Sequence, residues 1–239
     1  MAGGAYVALS GLRSRSDHLE RLAADIANAG TSGYKAERGT TSAAERPTFD
    51  RMLESAIDVA PGPSQLDFQS GVVIPTGRDL DVALRGKGFF VIDTPGGPRY
   101  TRNGAFERRA DGTLITSDGS VVSGESGPIK LGPGTIGIGQ DGTVKAGAAV
   151  AGKLKIVDFS DYSLLGREGA ARFRADNATP VAATGTLVEG ASLEKSNVSI
   201  VDRIAELTEV TRTFEALQRG VGLLMNDVDG RAISELGRR

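Results

Sequence analysis

The sequence contains no cysteine, which removes disulfide frameworks and cysteine-ligated zinc and leaves the redox compartment unmarked. Histidine occurs once, at His18, and no G-x-S-x-G stretch is present, so neither a nucleophile–base pair nor a histidine-based metal site has its parts. Lying between charged neighbours beside an apolar stripe, His18 is expected to face solvent. No Asp/Glu cluster at ligand spacing stands out, although a carboxylate-only site stays open on residue types alone. Charge of one sign is lacking as well: 28 Lys plus Arg against 30 Asp plus Glu leave a net charge of −2. That balance offers no electrostatic footprint for nucleic acid or an anionic membrane. No apolar run approaches the roughly 18 residues of a membrane span. The opening MAGGAYVALSGLRSRSDHLERL has no basic segment followed by an apolar one, so export, if it occurs, is expected without a cleavable signal peptide and without membrane insertion.

What is abundant is glycine, with 33 residues. Of these, 23 lie between Gly62 and Gly190, whereas Asn197 to Arg219 contains none and Ala5 to Asn28 only Gly11. Two glycine-poor ends therefore bracket a glycine-rich middle. At the first end Ala5, Leu9, Leu12, Ser16, Leu19, Ala23 and Ile26 recur in steps of three and four, which lines one face of a helix. At the other, Ile200, Ile204, Leu207, Val210, Phe214, Leu217, Val221, Leu224 and Val228 do the same. Asn197 is a candidate N-cap, with Ser199 and Asp202 as a looser capping-box alternative. Gly220 and Gly222 weaken the helix locally and mark a possible bend.

The middle has the wrong period to partner those stripes. In DLDVALRGKGFFVID, Leu80, Val82, Leu84, Phe90 and Ile92 share one parity, and Gly86 and Gly88 keep it where a bulge or close backbone approach fits. Asp111-Gly112, Asp118-Gly119 and Asp141-Gly142 separate the short runs TLITS, SVVSG and TVKAG, a hairpin signal, and Asn103-Gly104 adds a fourth turn of the same chemistry. The fold class expected is α+β: paired N- and C-terminal helices, coiled-coil-like, flanking a central all-β domain. The boundaries expected are 1–35 for the first helix and its exit, 36–65 for a polar, proline-interrupted linker with a short helix near Met52 to Val59, 66–190 for the β domain and 191–239 for the last helix.

Two overlapping matches to G-x-G-x-x-G run from Gly132 to Gly142, and Asp158 lies at a ribose-carboxylate distance beyond them. The dinucleotide fingerprint needs its last glycine to open a helix whose N-terminus holds the pyrophosphate, and here the chain continues into an Asp-Gly turn. No cofactor is expected.

Three stretches, in order, resemble the flagellar rod and hook family of bacterial axial proteins: DIANAGTSGYK at Asp25 to Lys35; TGRDLDVALRGKGFFVI followed by RYTRNGAFERRADGTLITSDGSVVSG; and LEKSNVSIVDRIAELTEVTRTFEALQRGVGLLMNDVDGRAISELG. Asp25 and Gly30 stand where the family more usually has asparagine. The resemblance implies a structural assembly protein, not an enzyme, exported unfolded by the flagellar type III apparatus. It also implies residence in the basal-body rod in the periplasm, with other rod subunits, itself and the export apparatus as partners. By the same resemblance the assembly interface comprises Leu12, Leu19, Ile26, Asn28, Ile204, Leu207, Phe214, Leu217, Val221 and Leu224. Gly30, Gly33, Tyr34 and Lys35 then form the helix-exit turn: Asn28 and Gly30 supply a left-handed C-terminal turn, Gly33 a second reversal, and Tyr34 with Lys35 an amphipathic pair. The short chain and the opening AYVALSGL favour the proximal rod over a distal-rod or hook paralogue. A carbohydrate-handling β protein whose helices merely dimerise is the alternative of another class.

Overall fold

A computed structural model describes residues 2–39 and 64–236, with side chains placed for 11–39 and 65–222. The short helix expected near Met52 to Val59 lies outside the described residues. The chain forms two compact units, one of Met1–Ile26, Arg38–Gln65 and Ser199–Arg239, the other of Ala27–Glu37 and Leu66–Val198.

The first unit is built on two helices, α1 (Ala2–Ala27) and α2 (Ile200–Leu236). At 37 residues α2 is about 55 Å long by the helical rise. It starts where the sequence supplies a cap, but the cap is Ser199 and not Asn197: the Ser199 hydroxyl accepts the Asp202 amide at 3.4 Å, and its carbonyl accepts the Arg203 amide at 3.0 Å. Asp202 in the first turn adds a favourable charge at the helix N-terminus. Thr208, Thr211 and Thr213 donate their hydroxyls to carbonyls four residues back, so their polar groups are satisfied within the helix. The helix continues through Gly220 and Gly222. No helix among the described residues is long and apolar enough to cross a membrane.

The second unit is antiparallel β. A ten-stranded sheet runs, in spatial order, through Leu165–Glu168, Arg172–Ala175, Gly97–Thr101, Phe89–Thr94, Val121–Gly124, Leu114–Thr116 and Phe106–Arg108, with three short strands paired off that path. Ile136–Ile138, Thr143–Ala146 and Ala149–Lys153 make a three-stranded sheet, while Val82–Arg85 pairs with Leu187–Gly190 and Val73–Pro75 with Ser192–Glu194. The parity read from DLDVALRGKGFFVID holds: Val82, Leu84, Phe90 and Ile92 sit in one core with Phe106, Leu114, Val122 and Leu154, and Leu80 packs against it. Phe90 and Phe106 meet edge to face at 5.2 Å between ring centroids, a geometry aromatic quadrupoles favour. The opposite parity, Phe89 and Val91, is buried too, in a second core with Tyr100, Phe159 and Phe173. Both faces of the strand Phe89–Thr94 are therefore covered, which the alternation alone does not reveal.

The three Asp-Gly turns are one device used three times. Gly112, Gly119 and Gly142 have φ of +85°, +84° and +83°. Their amides donate to the carbonyls of Arg109, Thr116 and Gly139 at 2.9, 2.8 and 2.9 Å. This is a turn closed by a left-handed residue, where glycine carries no Cβ penalty. Asn103-Gly104 differs. Gly104 is not left-handed; its carbonyl accepts the Val82 amide at 3.0 Å, and a Cβ there would lie 1.8 Å from the Val82 carbonyl oxygen. Glycine serves close backbone approach at that position instead of a hairpin turn. The glycine-rich stretch from Gly132 holds the strand Ile136–Ile138 and the third of the hairpins, with Gly142 at its turn rather than at the head of a helix.

Candidate functional site

The two helices are joined by a polar relay. Arg203 Nε lies 3.3 Å from Asp25 Oδ2, Arg203 Nη1 donates to Glu206 Oε2 at 2.7 Å, and Glu206 Oε1 lies 3.1 Å from His18 Nε2. His18 is thus half-buried between the helices and bonded to α2, a correction to its expected solvent-facing role. Around the relay Leu22, Asp25 and Val210 are the buried residues.

That pattern decides which helix faces meet. On α1 the residues turned to α2 are His18, Leu22 and Asp25, about 100° round the helix, one residue step, from the stripe read in the sequence. Leu12, Leu19 and Ile26 are half-buried on the flank. On α2, Leu207, Phe214, Leu217 and Val221 are half-buried, whereas Ile204 is 49% exposed and continues an open apolar patch with Ile200 and Val201, at 48% and 78%. The side chain of Leu224 lies outside the described residues. Asn28 closes the end of α1, its carbonyl accepting the Thr31 amide at 3.0 Å and its side-chain oxygen the Thr31 hydroxyl at 3.3 Å.

In the second unit the exit residues are not a surface turn. Gly30 is exposed and not left-handed; the left-handed residue is Gly33, with φ +69°. Tyr34 and Lys35 are buried at 2% and 0% exposure, which replaces the expected amphipathic pair. They are held by a segment from the far end of the chain. The Gly33 amide donates to the Glu194 carbonyl at 2.8 Å, the Ala36 amide to Asn197 Oδ1 at 2.7 Å, and the Asn197 amide to the Tyr34 carbonyl at 3.4 Å. Asn197 Nδ2 also donates to the carbonyls of Asp67 and Gln69, at 2.8 and 3.2 Å, so Asn197 ties three segments together and is not free to cap α2.

At the centre of this interlock is a buried ion cluster. Lys35 Nζ donates to Glu194 Oε1 at 2.6 Å and to the Gln69 carbonyl at 2.8 Å. Arg102 Nη1 reaches Glu194 Oε2 at 3.3 Å, and Nη2 donates to the Gly86 carbonyl at 2.7 Å. The Gly71 amide donates to Glu194 Oε1 at 3.0 Å. One carboxylate thus serves two cations. Burial pushes the Lys35 ammonium below the ordinary lysine range, with the attraction of Glu194 opposing that shift. Arg167 closes the other side: its guanidinium stacks on the Tyr34 ring at 4.4 Å and donates to the Lys35 carbonyl.

Glu194, Arg102 and Arg167 are positions of this interlock that sequence reasoning did not single out, and Asn197 was read only as a candidate N-cap. Glu194 and Asn197 lie inside LEKSN and Arg102 inside RYTRNG, both quoted stretches, but nothing local couples them to GYK. Arg167 lies in a stretch with no signal at all.

Residues 83–146 match the family model described as the flagellar hook protein FlgE/F/G D1 domain. The chain is 33% identical to the flagellar basal-body rod protein FlgF of Caulobacter vibrioides, over 92% of each chain. It is 32% identical to the FlgF of Rhizobium meliloti over 99% of each. To the flagellar basal-body rod protein FlgG of Bacillus subtilis it is 30% identical, over 88% of this chain and 90% of that one. With the likeness running through both helices and the antiparallel β region between them, the chain belongs to the FlgF/FlgG family of flagellar basal-body rod proteins, as a structural subunit and not an enzyme.

Proposed function

We propose that this chain is a subunit of the proximal rod, in the periplasm, delivered by the flagellar export apparatus and joined to neighbouring rod subunits and to copies of itself through α1 and α2. The β unit from about residue 66 to 190 is then the outer domain, and the helical ends, 1–35 and 191–239, the axial part. Leu12, Leu19, Ile26, Leu207, Phe214, Leu217, Val221 and Leu224 would serve both the pairing of the two helices and the packing of subunits. Asn28 and the exit residues Gly30, Gly33, Tyr34 and Lys35 would set where the axial helix ends.

The observation that carries this reading is the patch of Ile200, Val201 and Ile204, which α1 leaves open. Covering each of these side chains in an assembly contributes about 1–2 kcal/mol, from partly buried apolar area. The test is the pair Val201→Asp and Ile204→Asp, with Glu209→Gln on the same helix as control. Because the patch is open in the isolated chain, the double variant should melt and show circular dichroism like the wild type, yet be missing from purified basal bodies and leave cells non-motile. Normal incorporation of the double variant would remove the patch from the assembly interface and the support it lends to this reading.

A further inference from the structure

The residues that interlock in the second unit come from opposite ends of the sequence. Lys35 and Glu194 are 159 residues apart, Ala36 and Asn197 are 161, and Gly71 and Glu194 are 123. The Asp-Gly hairpins, by contrast, close locally, as where the Arg109 amide meets the Thr113 carbonyl. The first exit segment cannot satisfy its buried groups from nearby sequence. The carboxylate beside the Lys35 ammonium is that of Glu194, the acceptor for the Gly33 amide is the Glu194 carbonyl, and the acceptor for the Ala36 amide is the Asn197 side chain.

An ammonium carried into a dry interior without its carboxylate is strongly disfavoured. Residues 33–36 therefore have no stable native position until residues 194–197 are in place. Loop closure points the same way, since contacts this far apart in sequence form after local hairpins. We propose that the interlock is a charge-gated closure that forms last: the hairpins fold first, residues 31–37 stay open, and they close in a single step with residues 192–198. When the chain is delivered N-terminus first, the exit of α1 is consequently not locked until Asn197 has emerged, immediately ahead of α2. The subunit reaches its closed form only once residues 192–198 are present, whatever structure it then joins.

Pulsed hydrogen exchange during refolding of the full-length chain tests this. The amides of Thr116 and Gly139, in the hairpins, should gain protection first. Those of Gly33, Ala36, Gly71 and Lys195 should gain it together in a phase at least about tenfold slower, as expected for contacts of high sequence separation. Protection of Gly33 and Ala36 in the hairpin phase would overturn the proposal without recourse to any variant. In the folded protein, Glu194→Gln should speed exchange at Gly33 and Ala36 while leaving Thr116 and Gly139 unchanged, because it leaves Lys35 and Arg102 without their shared carboxylate. If Glu194→Gln leaves Gly33 and Ala36 as protected as before, charge does not gate the closure.

Discussion

Lys35 Nζ lies 2.6 Å from Glu194 Oε1 with both side chains wholly withdrawn from solvent, joining the residue that ends DIANAGTSGYK to the second residue of LEKSN. Truncating one member of such a pair strands the other charge. Glu194→Ala is expected to destabilise the β unit by about 3–5 kcal/mol, the usual cost of breaking a buried pair from one side. Glu125→Ala, which removes the exposed 2.8 Å partner of Lys153, should be indistinguishable from wild type. Denaturant titration followed by tyrosine fluorescence measures both.

The same pair predicts a pH dependence. Burial lowers the Lys35 value below the 10.5 of an exposed lysine. Between that lowered value and 10.5 the unfolded chain holds the proton more than the folded one does, so this group's contribution to stability rises with pH across the window. Lys35→Met should flatten that rise, as seen by comparing melting temperatures of the two proteins from neutral to alkaline pH.

Two glycines in one motif should behave in opposite ways. At Gly33 a Cβ would lie 2.3 Å from the backbone of Arg102 and Asn103, on a residue with φ +69°, whereas at Gly30 it would meet nothing within 4 Å. Gly33→Ala is expected to cost several kcal/mol, on the order of 3, through backbone displacement and strain. Gly30→Ala should change thermal stability by less than about 0.5 kcal/mol. Equal effects in a melting experiment would contradict the placement of this segment.

Ala191 has φ of +53°, the one non-glycine residue with positive φ among the described residues, where its carbonyl accepts the amides of Thr76 and Gly77 at 2.8 and 3.2 Å. Removing its Cβ relieves about 1–2 kcal/mol of left-handed strain, partly offset by the larger entropy of glycine in the unfolded chain. Ala191→Gly should therefore raise stability by about 0.5 kcal/mol, and a lowered melting temperature would show that the Cβ contributes packing that outweighs the strain.

The hairpin aspartates should respond to acid. Hydrogen bonds from the backbone and hydroxyl of Thr113 hold Asp111 below its ordinary value of 3.8, and the hydroxyl and backbone of Thr143 do the same for Asp141. Their stabilising contribution is present above 3.8 and is lost as pH falls through the lowered folded values. Asp111→Asn with Asp141→Asn should blunt the acid-induced loss of stability below about pH 4, a shift that acid titration by circular dichroism would show.

What could be read in advance follows from the range of the forces involved. The hairpins at Asp111, Asp118 and Asp141 were legible because turn and strands are neighbours in sequence, and the helices because their glycine-poor, three-four spacing is a local property. Asn103-Gly104 carries the same dipeptide signal and is not a turn, because what the glycine accommodates there is the Val82 backbone, more than twenty residues away. His18 looked solvent-facing because its partner, Glu206, is 188 residues distant.

By itself the sequence determined two helices, an antiparallel middle and their order, since secondary-structure period and turn chemistry are set by residues within a few positions of one another. Only the tertiary structure decided that Leu22 and Asp25, rather than Leu19 and Ile26, are the buried residues among the described side chains of α1; that Ser199 caps α2 because Asn197 is tied to Ala36, Asp67 and Gln69; and that Lys35 is buried. Those choices rest on the pairing of charges and the matching of buried donors to acceptors between segments more than a hundred residues apart. A lysine in GYK reads as a surface residue until its ion-pair partner, Glu194, is brought within 2.6 Å.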